Sequence, residues 1–176
     1  KRISKVNLPM LKARDTIVVD ILPLSDCPQA IDTLARAHLE EWRELYPEDT
    51  VDSFAADLAR SLGEDPVPST WVLVAAGVAI GSVSLIEQDL DSRPELTPWL
   101  ANLWVDREWR GRGLGKRLVL HACEQGRLRD LERLYLYTPE HATFYQALGW
   151  EVLATSTKNG VAITLMSYLL RRRPRR

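Results

Sequence analysis

The chain has 176 residues, 45% of them hydrophobic, and carries 23 Lys and Arg against 24 Asp and Glu for a net charge of −1. That length supports one good core and is short for two, so a single domain over residues 1–176 is expected; the balanced charge and a pI near 6.4 exclude the basic attraction on which nucleic-acid domains rely. Two cysteines, Cys27 and Cys123, are too few for a disulfide framework or a zinc site, no run reaches the roughly 18 apolar residues of a membrane span, and charges interrupt residues 1–15 where a signal peptide would be apolar. No metal, no membrane partner, no nucleic acid and a cytoplasmic location are the expectations.

In chain order, residues 1–15 read as a loose lead-in and residues 16–22 as a first strand with β-branched content, stopped by Pro23. From about Pro28 to Tyr46 the period changes: Ile31, Leu34, Ala35, Leu39 and Trp42 recur at helical spacing, with acids and Arg on the other side, until Pro47. Thr50 or Asp52 can cap a second helix carrying Val51, Phe54, Leu58 and Leu62, with Gly63 closing it. Residues 69–76 and 78–86 are two apolar runs joined at Ala76-Gly77, a hairpin signature, and the polar, proline-containing stretch 88–98 is a loop. A strand over 100–105, a glycine-rich turn, a helix over 113–128, a strand over 134–138, a helix over 141–148 ending at Gly149, and strands over 151–156 and 161–169 follow. Residues 170–176 form a basic tail, read as a solvated end. The order is mixed α/β (α+β), with a mostly antiparallel sheet flanked by helices and one parallel junction across the glycine-turn helix.

That turn is where chemistry enters. Gly111, Gly113 and Gly115 lack a Cβ, so the backbone can take positive φ and approach a phosphate oxygen, while unpaired N–H groups and the positive end of the following helix point at the anion. Arg110, Arg112, Lys116 and Arg117 bracket the turn with charge-assisted donors. A dinucleotide fingerprint fails on spacing, because the third residue after Gly113 is Lys116 rather than glycine. A P-loop fails as well, since three residues separate Gly111 from Gly115 and Arg117 has no hydroxyl for Mg²⁺. The pattern that fits is Arg/Gln-x-x-Gly-x-Gly/Ala, filled by Arg110, Gly113 and Gly115, and on it the chain resembles the GNAT superfamily of N-acetyltransferases. Phe144-Tyr145, followed by Leu148-Gly149-Trp150, is similar to a second segment of that family, and direct motif matching covers about residues 99–152.

The resemblance implies a GNAT-like fold with splayed central strands and acetyl-CoA as cosubstrate; because no Ser or Cys sits in a nucleophile-elbow sequence, direct attack by the acceptor without a covalent enzyme intermediate is the simpler mechanism. The resemblance also implies that the turn, residues Arg110, Gly111, Arg112, Gly113, Leu114, Gly115 and Lys116, grips the pyrophosphate, and that the backbone of Leu103, Trp104 and Val105 pairs with the pantetheine arm. Tyr145 matches the tyrosine that protonates the departing thiolate, a phenol of pKa about 10 being protonated at neutral pH. A backbone N–H of Leu103 or Trp104 can polarise the thioester carbonyl.

For the general base, Glu87 at the end of its strand is the first candidate, with Asp89, Asp91 and Glu41 as competitors; the position where some family members carry a glutamate is Tyr137 here. His141, at the start of the helix bearing Tyr145, can approach the site, whereas His121 reads as exposed and Cys123 as core. The resemblance further implies that residues 40–46, the 88–99 loop and the hairpin at 157–160 surround the acceptor, a primary amine of a small molecule or peptide, which Glu40, Glu41, Glu44, Asp89 and Asp91 would attract and Trp42 or Trp99 would pack against. An acyl-CoA-binding regulator without turnover is the alternative, because the cofactor turn is better specified than the acceptor side. Six tryptophans suit either core packing or an aromatic surface for a homodimer.

Overall fold

In the computed structural model, which describes residues 17–171, seven strands form one sheet in the order β1-β2-β3-β4-β5-β7-β6. They are β1 (Val19–Pro23), β2 (Ser69–Ala75), β3 (Val78–Ile86), β4 (Trp99–Val105), β5 (Arg133–Thr138), β6 (Glu151–Lys158) and β7 (Val161–Leu169). Four helices accompany them: α1 (Ile31–Trp42), α2 (Val51–Ala59), α3 (Leu114–Leu128) and α4 (Ala142–Ala147). The predicted order of elements and the fold class hold. The lead-in over 1–15 and Arg172 to Arg176 of the basic tail lie outside the described residues. Arg171 is tied down, donating to the Arg127 carbonyl and pairing with Asp130.

Local chemistry accounts for the boundaries. The first helix is shorter than the predicted span to Tyr46, because the chain turns after Trp42, with Leu45 and Tyr46 donating back to the Trp42 carbonyl. Thr50 caps α2 reciprocally with Ser53, each side chain accepting from the other's backbone N–H. A short 3₁₀ segment, Arg60–Leu62, follows α2, and Gly63, predicted to close the helix, caps that segment in an extended conformation. Ala76 and Gly77 both take positive φ, the requirement of a tight two-residue hairpin between β2 and β3.

The strands alternate between two helical layers. Trp71, Leu73 and Ala75 face the core under α3, with Leu118, Val119, Ala122, Cys123, Leu134 and Met166. Val72 and Trp104 face the other layer, with Leu34 and Ala35 of α1 and Leu58 of α2. Cys123 is buried, which pushes its thiol up to about 11, and it serves as core. None of the six tryptophans is exposed, so the aromatic surface considered for a dimer is absent among the described residues. No helix among the described residues is long and apolar enough to cross a membrane.

Two irregularities in β4 shape the centre of the sheet. Its pairing with β5 is parallel and has a single register position among the described residues, Trp99 opposite Tyr135, so the two strands diverge beyond it. Its antiparallel pairing with β3 slips between Ser82, opposite Trp104, and Ser84, opposite Ala101. Asn102 and Leu103 therefore stand against Val83 alone, a β-bulge, and Asn102 takes a φ of 54°.

Candidate active site

The notch left by the diverging strands opens into two cavities that share Leu103, His141 and Tyr145. The larger, about 470 Å³, is lined by Leu103, Trp104 and Val105 on one side and by Arg110, Gly111, Gly113, Leu114, Gly115 and Lys116 on another. Apart from Arg112, the strand and turn residues singled out in the sequence thus meet around one cleft, joined by Glu41, Trp109 and Phe144. Trp109 carries no sequence signal for this position.

The turn has the backbone conformation that an anion cup requires. Gly111 and Gly113 have φ of 74° and 76°, a left-handed backbone that only glycine adopts without strain. Gly113 is the N-cap of α3 and offers no side chain to its first turn, so those N–H groups are left facing outward. Gly115, expected to share the positive φ, lies within α3 as an ordinary helical residue; a Cβ there would meet Phe144 at an unstrained 3.7 Å.

The basic residues divide. Arg110 donates to the Val105 carbonyl at 2.8 Å and to Glu41 at 3.1 Å, and Lys116 lines the cleft. Arg112 does not line it: its guanidinium stacks over Trp109 at 4.7 Å and donates to the Glu108 carbonyl. Arg117 donates to the Val19 carbonyl at 2.7 Å and so anchors β1.

The smaller cavity, about 90 Å³, lies on the other side of Leu103 and Tyr145 and is lined by Trp42, Tyr46, Asp89, Asn102 and Tyr137 among others. Tyr46 and Tyr137 share a short hydrogen bond, Tyr46 donates to Asp89 at 3.4 Å, and the Lys158 ammonium sits 4.6 Å from the Tyr46 ring. Burial pushes the Asp89 carboxyl up to about 6, with nearby Lys158 opposing the shift. Burial also raises the phenols of Tyr46, Tyr137 and Tyr145, so all three hold their protons at neutral pH. The hairpin at 157–160 closes this side, with Asn159 donating to the Leu45 carbonyl at 2.6 Å. Beyond Tyr46, Asp89 and Asn102 a polar annex of about 380 Å³ carries Asp49, Asp57, Asp91, Arg60 and Lys158.

Several sequence candidates fall elsewhere. Glu87 is exposed, pairs with Arg60 at 3.3 Å and lines neither cavity. Trp99, proposed for the acceptor, is fully buried, its indole N–H donating to the Leu96 carbonyl at 2.6 Å. His121, read as exposed, is half-buried against Trp71 with its Nε2 enclosed. Glu40 and Glu44 border a separate surface depression with Glu140. Among the described residues no group of three or more His, Cys, Asp or Glu is gathered as a metal would require. Tyr46 and Tyr137 go unassigned at sequence level because they come from segments far apart in the chain, and only the sheet brings them together.

The model of the Acetyltransferase (GNAT) family matches residues 31–150. Solved structures of similar fold include an aminoglycoside 6'-acetyltransferase type Ii, 20% identical, covering 90% of this chain and 100% of that one at a TM-score of 0.66. An aminoglycoside 6'-N-acetyltransferase complexed with coenzyme A is 19% identical, with coverage of 90% and 100% and a TM-score of 0.68. A putative acetyltransferase of the GNAT family from Desulfovibrio desulfuricans is 16% identical, with coverage of 88% and 100% and a TM-score of 0.67. No curated protein matches the chain in sequence.

Proposed function

Because the chain belongs to the acetyltransferase (GNAT) family, we propose that it transfers acetyl from acetyl-CoA to a primary amine of a small molecule or peptide, by direct attack of that amine. The observation that carries this reading is the pair of cavities meeting at Tyr145: one floored by a glycine-rich anion cup, the other holding a carboxylate among aromatic rings. Family membership supports acyl transfer, and the carboxylate and aromatic rings of the smaller cavity favour an amine as acceptor.

Acetyl-CoA supplies a thioester and a diphosphate. The main-chain donors of Gly113 to Lys116 and the side chains of Arg110 and Lys116 suit the diphosphate. The β5-facing edge of β4 at Leu103 to Val105, which pairs with no strand among the described residues and has only its Val105 carbonyl taken up by Arg110, suits an amide-bearing arm. Arg112, turned onto Trp109, has a lesser part in this reading. In the transfer a C–N bond forms and the C–S bond breaks; starting from an ammonium, two protons leave the nitrogen, one before attack and one as the tetrahedral intermediate collapses, one proton reaches the sulfur, and one is released to solvent. Tyr145, protonated and bordering both cavities, is the donor to the sulfur. Asp89, rather than the outlying Glu87, is the acid that meets the ammonium form of the acceptor and takes up its proton, directly or through water. The backbone at Leu103 provides the donor for the thioester carbonyl. The acidic side chains of the annex favour an acceptor whose remaining body is polar and cationic.

The test is thiol release from acetyl-CoA over a panel of primary amines, with calorimetric titration of coenzyme A in parallel. Amine-dependent release is expected. Stoichiometric coenzyme binding with no release on the whole panel would replace the enzyme by an acyl-CoA-binding regulator, and no binding at all would end both readings.

A further inference from the structure

Four non-glycine residues among those described have positive φ, and three of them, Ala76, Asp130 and Asn159, sit in turns. Asn102 alone lies inside a strand, at the bulge between the two cavities. Such a conformation persists only where its surroundings hold it. Both polar ends of Asn102 are held: its side-chain amide donates to Ser84 Oγ at 3.0 Å, and its carbonyl accepts from Ser82 Oγ at 2.7 Å. Ser82 and Ser84, both fully buried, flank Val83, the residue at which the register slips.

Behind Ser82 stands His38 of α1, also fully buried, with Nε2 2.8 Å from Ser82 Oγ. A serine hydroxyl has one proton, and here it goes to the Asn102 carbonyl, so the proton of the His38 contact must come from Nε2. His38 is therefore the neutral Nε2–H tautomer. Its Nδ1 is buried and has no hydrogen-bond partner among the described residues. A histidine used only for packing would be a poor choice there, since its neighbours Trp42, Phe54 and Trp104 are aromatic and an apolar ring would leave no orphan atom.

We infer that His38, acting through Ser82 on the Asn102 carbonyl, is a positioning residue that aims the Leu103 backbone into the junction of the two cavities. This rests on the acetyl-transfer reading, in which the Leu103 amide faces the thioester carbonyl. Fixing the carbonyl of Asn102 fixes the peptide plane it shares with the Leu103 N–H, because that unit is planar. The relay thus sets the direction of the amide one bond away, and its aim matters most when charge develops on the carbonyl oxygen.

The test uses His38→Phe, which keeps an aromatic ring in the same surroundings and removes the donor, with Ser82→Ala and His38→Gln beside it. Amide exchange at Leu103 in the free protein, followed by NMR, is expected to quicken at least tenfold in His38→Phe and Ser82→Ala. His38→Gln, whose amide can still donate to Ser82, should return toward wild type. With an acceptor amine, kcat is expected to fall tenfold or more in the first two variants, with coenzyme A affinity within about twofold and the melting temperature of His38→Phe unchanged or raised. A purely structural histidine predicts the opposite split, with stability changed and kcat intact, and that result would overturn the inference. So would unchanged Leu103 exchange in both variants. If the exchange behaves as expected while wild type transfers no acetyl group, the relay stands and the proposed reaction falls.

Discussion

The Glu41 carboxylate accepts from the Arg110 guanidinium at 3.1 Å, tying the helix beside the acceptor cavity to the loop that opens the cofactor cleft. Arg110 is thereby engaged by an acid at the very place assigned to a diphosphate, and by the Val105 carbonyl at the end of the strand assigned to the pantetheine arm. The pair with Glu41 is partly exposed, and ion pairs of that kind contribute about 0–1 kcal/mol. Glu41→Gln is expected to tighten coenzyme A by up to about fivefold, because it removes a negative charge from the cleft and frees Arg110. Arg110→Ala should weaken it. Calorimetric titration of the two variants checks both signs, and weaker binding in Glu41→Gln would exclude the release of Arg110 as part of coenzyme capture.

Tyr145 holds its proton because burial raises its phenol, and it borders both cavities. Tyr145→Phe is expected to leave coenzyme A affinity near wild type and to lower kcat at least about tenfold, a floor set below the roughly 10²- to 10⁴-fold that a general acid contributes. Steady-state kinetics with a saturating amine measures this. An unchanged kcat removes Tyr145 from the proton transfer.

Gly113 and Gly115 should separate backbone conformation from space. Gly113→Ala forces a left-handed alanine at a cost of about 1–2 kcal/mol. The expected outcome is a melting temperature a few degrees lower, together with weakened coenzyme binding. Gly115→Ala meets only Phe144 at 3.7 Å in helical geometry, so the protein should fold at wild-type stability or slightly above. Loss of coenzyme affinity in Gly115→Ala without loss of stability would locate the ligand against that glycine.

Asp89 yields opposed pH effects on activity and stability. Its carboxyl is held up at about 6, above the ordinary value near 3.9. As the acid that must be ionised to take a proton, it makes kcat/KM rise through pH 6. The folded state, however, binds that proton more tightly than the unfolded chain does, so the Asp89 contribution to stability is greatest below about pH 4 and declines as pH rises through 6. Asp89→Asn should abolish the rise in kcat/KM near pH 6 and flatten the melting-temperature profile from pH 4 to 7. A rise near pH 6 that survives in Asp89→Asn assigns it to another group.

His38 acts in the reverse sense. Burial lowers it to about 3, so the unfolded chain takes up a proton first as pH falls below about 6.5. Its share of stability is complete above about pH 6.5 and is lost progressively toward pH 3, at up to about 1.4 kcal/mol per pH unit. Denaturant titrations of wild type and His38→Phe between pH 4 and 7 should show the steeper decline in wild type.

The order of elements was legible because hydrophobic period, Pro47, the Ala76-Gly77 pair and the glycine turn are local signals, each written within a few residues. The larger cleft was largely local as well, since one strand, one turn and one helix start supply most of it, with Glu41, His141, Phe144 and Tyr145 coming from elsewhere. The acceptor side was not. Tyr46, Asp89, Tyr137 and Lys158 come from four separate segments, and no spacing rule connects them. Glu87 and Asp89 are two residues apart, and what separates them is where the chain turns after β3: Glu87 out to Arg60, Asp89 under Tyr46. The bulge at Asn102 was also invisible, because it depends on the buried hydroxyls of a neighbouring strand.

With β4 and β5 in register only at Trp99 and Tyr135, the molecule is two half-sheets sharing a clasp, and the Trp99 side chain is sealed in the core beside it. Whatever lies in the notch does mechanically what a missing strand would do. Filling it should stiffen the protein across its middle, so that occupancy is readable as slower opening of the amides on both flanking strands, even with a ligand that cannot react.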